Sequence, residues 1–232
     1  MESIKAWHFC RIKNGAPVLR DGRPLPPRDE WLVEHGELVM CRRGLHASEK
    51  ALDALSYAPG PYCCLVECAG KIIHDDDKLV SQRRRILWGF DAATVLRYFA
   101  CQCALDVASL WDMPPVVRKF LETQDDKLRD AAGAAASAAA RDASRDEAWD
   151  AASAAASAAA RDAAWDEARD AARDAARDAA WAAAWDAAWD APWDAARDAA
   201  RAAARVAAWA DQESLLESLL VGEMISQGLV VE

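Results

Sequence analysis

The sequence predicts an α+β N-terminal domain followed by an all-α, alanine-rich tetrapeptide-repeat helical array. Three observations carry this. The first half alternates short apolar strand-like runs and turn signals, then gives way to helical periodicity. From Arg129 to Trp209 every fourth residue opens a unit of the form x-Asp-Ala-Ala, without slippage for 21 units. Charge divides the same way: residues 1–128 hold 18 basic and 18 acidic residues, whereas residues 129–232 hold 10 arginines against 20 acids. The net charge of −10 therefore lies wholly in the C-terminal half. The expected organisation is a small α+β domain at 1–125, the repeat array at 126–212 and a C-terminal capping helix at 213–232.

Ile4 to Ile12 reads as a strand closed by a turn at Lys13-Asn14-Gly15. Gly36 to Cys41 reads as another. Ser48 suits the N-cap of a short helix through Ala51, Leu52, Leu55 and Ser56, which Pro59-Gly60-Pro61 ends. Tyr62 to Cys68 is a buried-strand candidate, extended by Gly70 to His74 past a bulge at Gly70. Lys78 to Ser81 and Arg85 to Trp88 are shorter strand candidates. Asp91 can cap a helix running to about Trp111, with Val95, Leu96, Phe99, Cys103 and Val107 on its apolar side. Pro114 and Pro115 open a further helix through Val117, Phe120 and Leu121.

Alanine is the best helix former and is depleted in strands, so the array is predicted helical. Four residues advance about 400° on a helix, a drift of roughly 40° per unit. The stripe made by the first position, Arg ten times and Trp seven times, thus winds around the axis. Pro192 removes a bond to the Ala188 carbonyl and is the expected break or kink; Gly133 is a second weak point. Arg169, Arg173 and Arg177 form a column of like charge, as do Asp162, Asp166, Asp170, Asp174 and Asp178. Like charges at i,i+4 are unfavourable on a lone helix, so packed helices that set Arg columns against Asp columns are expected. The alanines permit close approach and Trp fills the gaps. Leu215, Leu216, Leu219, Leu220 and Val221 suit a terminal cap.

Seven cysteines, an odd number without a regular framework, argue for reduced thiols. No basic segment and apolar core opens the chain, and no run of about 18 apolar residues exists, so neither a secretion signal nor a membrane span is expected. The expected location is cytoplasmic. Cys64-x₃-Cys68 has a spacing that zinc uses, and its even offset puts both side chains on one strand face. No second pair completes a metal site, so buried apolar thiols are the expectation and no metal is assigned. Asp75-Asp76-Asp77 reads as a solvated turn. Arg83-Arg84-Arg85, the longest basic run, reads as an exposed face or an anion contact.

At "CRRGLHASEKALDALSYAPG", "CLVECAGKI", "DDDKLVSQRRRIL" and "FACQCALDVASLWDMPPVVRKFLET", about residues 4–125, the chain resembles a domain of unknown function found in phage and prophage proteins. There it often precedes alanine-rich or pentapeptide repeats. That resemblance implies a phage accessory protein in the host cytoplasm and carries no established activity. A second likeness is more distant. Gly44-Leu45-His46-Ala47-Ser48, with Ala54, Tyr57 and a strand ending at Gly70, is similar to the second motif of ADP-ribosyltransferases. It implies an NAD pocket in which His46 takes the place of a nicotinamide-stacking tyrosine, and Trp7-His8 approximates the first motif. His8, His46 and Tyr57 are the catalytic candidates under this likeness alone. No glycine follows His8, and no glutamate matches the catalytic one.

The function expected is therefore binding, with no cofactor. The array supplies an acidic and aromatic interaction or oligomerisation surface built on Trp181, Trp185, Trp189, Trp193, Arg169, Arg173 and Arg177. An acidic surface disfavours direct nucleic-acid binding and favours a protein partner with a basic surface, or a second copy. Counter-defence is the use the phage resemblance implies. The alternatives are an ADP-ribosyltransferase-like domain that binds NAD, and an acidic mimic of nucleic acid.

Overall fold

A computed structural model describes residues 3–142, 146–159, 177–181 and 194–229. Two compact units emerge, Met1–Ala93 with Leu216–Glu232, and Thr94–Leu215. The strands lie in the first unit, and the helical residues from Thr94 to Leu215 belong to the second.

The first unit is a curled antiparallel half-barrel with one helix. Its strands are β1 (Ser3–Lys13), β2 (Ala16–Val18), β3 (Leu32–Val33), β4 (Leu45–Ala47), β5 (Tyr62–His74) and β6 (Leu79–Asp91); α1 (Ala51–Ser56) lies between β4 and β5. The order is β2-β1-β5-β6-β3, with β4 paired to the start of β6. Just past β4, Ser48 bridges back to Trp7 through both backbone bonds, at 2.7 and 3.0 Å. The sheet therefore curls until its fourth strand meets its first. Two irregularities in the β5–β6 pairing, at Leu65/Val66 and Ala69/Ile72, add the local twist that curling needs. Gly70 sits at the second with φ +81°, as expected of a bulge glycine.

Two expectations fail here for stated reasons. Gly36–Cys41 is no strand: it is a tight loop closed by a Val39–Arg43 bridge, with Cys41 left-handed at φ 62°. The N-cap of α1 is Lys50, whose side chain makes no cap bond, and Ser48 pairs with Trp7 through its backbone. The two short strand candidates around Arg83 are one continuous strand, β6.

One sheet face carries Trp7, Phe9, Cys63, Leu65, Trp88 and Phe90, all buried. Trp88 meets Trp7 edge-on at 5.6 Å and stacks with Phe90 at 5.8 Å. The opposite, inner face carries Ala6, Cys10, Cys64, Val66, Cys68 and Ile86, joined by Ala47 and Leu79 in one apolar cluster.

The second unit is helical: α2 (Ala93–Asp106), α3 (Pro115–Thr123), α4 (Arg129–Asp142) and α5 (Asp146–Ala159), with residues 177–181 also helical. Asp91 Oδ1 accepts from the Ala93 N–H at 3.1 Å, which makes it the side-chain cap the sequence expects for α2. In α4 the buried side chains are Ala132, Ala136 and Ala140, at helical i,i+4 spacing. In α5 they include Ala151, Ala152, Ala154, Ala155 and Ala159. Helices α4 and α5 thus pack alanine to alanine, the small side chains letting the backbones come close. Gly133 lies inside α4 without breaking it. The last helix, α6 (Asp194–Ser226), runs across the division at Leu216, and Leu216, Leu220 and Met224 are fully buried along one of its faces. Pro192 lies outside the described residues.

Candidate functional site

The inner face of the half-barrel gathers polar groups that the strand register brings side by side. His8 pairs across to Cys64, which pairs to Gly89; Cys10 pairs to Tyr62; Cys68 pairs to Arg84. His8, Cys10, Cys64, Cys68 and Arg84 share one face because strand side chains alternate. The same alternation splits the basic run. Arg84 turns inward and is 5% exposed, while Arg83 and Arg85 turn outward and lie over the Trp31 ring at 4.6 and 4.9 Å. Arg85 is also paired with Glu67 at 2.5 Å.

Arg84 is the unusual member. Its Nη1 donates to the His46 carbonyl of β4 at 2.5 Å, and its buried Nε has no hydrogen-bond partner. Among the described residues no carboxylate forms an ion pair with it. Burial lowers its affinity for the proton, and nearby Cys68, Cys10 and Cys64 oppose that shift. Leaving a guanidinium in such a place without a counter-charge would cost several kcal/mol.

The cysteines of this face differ in acidity. A hydrogen bond from Cys64, aided by His8 and the Arg84 charge, pulls the Cys10 thiol down to about 4 against the effect of burial. Cys64, the donor to Cys10 and itself buried, is pushed well above the ordinary thiol range. Burial raises Cys68 and Cys63 as well. His8 is lowered by burial first and by Arg84 second, and nearby Cys10 opposes that shift. Gly89 leaves room for this packing: a β-carbon there would come within 2.7 Å of Tyr62 Cε1 and 2.9 Å of Cys64 Sγ.

His46 lies near this group but is tied to its own loop. Its Nε2 accepts from the Cys41 N–H at 3.0 Å and its Nδ1 lies 3.2 Å from the Gly44 carbonyl. Burial lowers its proton affinity, so the ring is neutral, with Nδ1–H donating to Gly44. Tyr57, the third residue named by the transferase likeness, stands apart from both. It is exposed, donates to Asp77, accepts from Lys78 Nζ at 2.9 Å, and carries Lys78 over its ring at 4.6 Å. Asp75 and Asp77 both hold Lys78, so the acidic triplet is a turn organised around a lysine.

In the helical unit, Trp149 is 52% exposed and Trp181 is 41% exposed, while the alanines beside them are buried. Arg205 lies over the Trp181 ring at 4.7 Å. Trp209 is half-buried. At these positions alanine is buried and Trp is exposed. Arg177 is exposed and lies 3.6 Å from Asp178. Trp185, Trp189, Trp193, Arg169 and Arg173 lie outside the described residues.

Among the described residues no group of His, Cys, Asp or Glu could hold a metal ion, and no helix is long and apolar enough to cross a membrane. All seven cysteines are unbridged. The inner-face group was not singled out from sequence. Its signal was present in the alternation of Ala6, His8 and Cys10 against Cys64, Val66 and Cys68, but it needed the register to be read. No curated protein and no solved structure matches the chain. Residues 27–98, which run from before β3 into α2 and include His46, Cys64, Cys68 and Arg84, match the family described as Domain of unknown function (DUF7666).

Proposed function

We propose that this chain works by binding protein, through the acidic, tryptophan-bearing surface of its helical region. The observation that carries this is the exposure of Trp149 and Trp181 beside buried alanines. Trp is a large apolar group, burying about 150–250 Å² when covered, and it is enriched among the residues that dominate interface energetics. Alanine packing already holds α4 and α5 together, which leaves much of these two rings facing outward. The excess of acids over arginines in residues 129–232 favours a partner with a basic surface. A phage accessory role with counter-defence as its use rests on the sequence resemblance of residues 4–125.

The test is a pull-down from host extract with the full chain and with the Trp149→Ala/Trp181→Ala double variant. A protein retained by the first and lost by the second, at unchanged melting temperature, supports the reading. Equal retention by both would end it. A second reading, an NAD-binding half-barrel, rests on the sequence likeness at Gly44-Leu45-His46-Ala47-Ser48 alone. It requires NAD to bind the full chain at about millimolar concentration, an affinity of roughly 4 kcal/mol. An absence of heat on titration would remove it.

A further inference from the structure

The buried stripe of the last helix keeps the register of the repeat and changes in size. Counted in fours from Arg129, the fourth positions in α4 are Ala132, Ala136 and Ala140, and these are its buried side chains. Carried on into α6, the same count falls on Gln212, Leu216, Leu220 and Met224, all buried as well. Residues four apart lie nearly above one another on a helix, so these form one face. In α4 that face is alanine. From Leu216, where the chain groups again with Met1–Ala93, it is leucine and methionine. Each of these removes far more apolar surface from water than an alanine does. The other side of the same turns carries Glu217, Gly222 and Ile225, all exposed.

We propose that the end of α6, from Leu216 to Gln227, is a strap that holds the half-barrel unit closed, and that its release opens this unit locally while the helices of the second stay folded. A sheet that is apolar on both faces needs cover on both. Trp7, Phe9, Leu65, Trp88 and Phe90 are buried on one face, and Ala6, Cys10, Cys64, Val66 and Cys68 on the other. Besides the strap, the unit's own cover is α1, whose six residues span about 9 Å. Strands β5 and β6 have 13 residues each and reach roughly 43 Å.

The strap is a defined piece with a weak point. Gly228, left-handed at φ 73°, closes it: the Gly228 N–H donates to the Ile225 carbonyl and the Leu229 N–H to the Met224 carbonyl, both at 3.0 Å. Gly222 lies inside it, where glycine lowers helix stability. The segment is continuous with the rest of α6, so it can leave its seat as helix.

The cysteines report on the strap directly. Cys41 is exposed, Cys10, Cys63, Cys64 and Cys68 are buried in the half-barrel unit, and Cys101 and Cys103 are buried in the helical unit. The full chain is treated with a maleimide under native conditions, and each site is followed in time by peptide mass. In the wild-type chain Cys41 should label at once and the other six slowly, through local opening. Leu220→Ala keeps a good helix former but truncates a fully buried side chain, which loosens the strap. The four half-barrel cysteines should then label about tenfold faster or more, while Cys101 and Cys103 keep their wild-type rates. Ile225→Ala, on the exposed side, should change neither group. No acceleration of the four, or an equal acceleration of Cys101 and Cys103, overturns the proposal. Should Leu220→Ala fail to fold, Gly222→Ala decides, because a β-carbon there meets nothing within 4 Å. By firming the strap it should slow labelling of the four about threefold, and an unchanged rate overturns the proposal as well.

Discussion

At the scale of single residues, the inner face depends on which groups are kept neutral. His8 and His46 both have folded-state proton affinities below the ordinary histidine value of 6.5, burial being the first cause in each. As pH falls below 6.5 the unfolded chain takes up protons at these rings before the folded chain does. Linkage then makes their contribution destabilising in acid, present below 6.5 and absent above it. Denaturant midpoints at pH 7.5 and 5.5 check this. The wild-type chain should lose stability on acidification, and the loss should be shallower in His8→Asn, by up to about 1.4 kcal/mol per unit of pKa shift removed. An unchanged pH slope in the variant would show that His8 is not held neutral by the fold. His46→Ala should cost about 1–2 kcal/mol at pH 7.5, because it orphans the Cys41 N–H and the Gly44 carbonyl together. The sequence showed three adjacent arginines and a Cys-x₃-Cys spacing. It did not show that one arginine of the three turns inward toward both cysteines, because that depends on the pairing of β5 with β6.

Elements were legible where local chemistry dominates and were misread where tertiary pairing overrides it. The strands β1 and β5, the bulge at Gly70, the Asp91 cap and the Pro115 helix start all follow from turn residues, alternation and capping. Ser48 has good cap chemistry, yet its backbone is taken by Trp7, a contact 41 positions away that no local rule foresees. Two glycines test the packing of the elements with opposite signs. A β-carbon on Gly60 would overlap the Cys10 carbonyl oxygen and the Arg11 backbone, so Gly60→Ala forces β1 away from the start of β5. It should destabilise by about 1–3 kcal/mol despite the entropy alanine saves. A β-carbon on Gly133 would meet only Ala159 Cβ, at 3.8 Å, an ordinary contact. Gly133→Ala should therefore stabilise α4 by about 0.5–1 kcal/mol. Thermal melts of the two variants check both, and a destabilising Gly133→Ala would mean α4 and α5 lie closer than alanine packing allows.

Over the whole molecule, the alanine repeat foretold helix, and the described parts of residues 129–229 are helical apart from the last turn. The repeat did not foretell which residue type packs inside. A period of four puts Trp and Arg in the same column, so periodicity alone cannot separate a tryptophan that fills a gap from one that faces water. The charge distribution carries the last prediction, because the two kinds of partner respond to salt with opposite signs. A chain of net charge −10, with all the excess in its C-terminal half, repels its own copies and attracts a basic surface. Between about 0.01 and 0.1 M salt the screening length falls from roughly 30 to 10 Å. Attraction to a basic partner weakens over that range, mainly through slower association, whereas repulsion between copies is relieved. The expected result is that retention of the partner captured by the full chain falls as salt rises, while the chain alone keeps its monomer mass of 25.3 kDa by light scattering. A mass that grows with salt would instead assign the Trp149 and Trp181 surface to self-association, and the double variant should then restore the monomer.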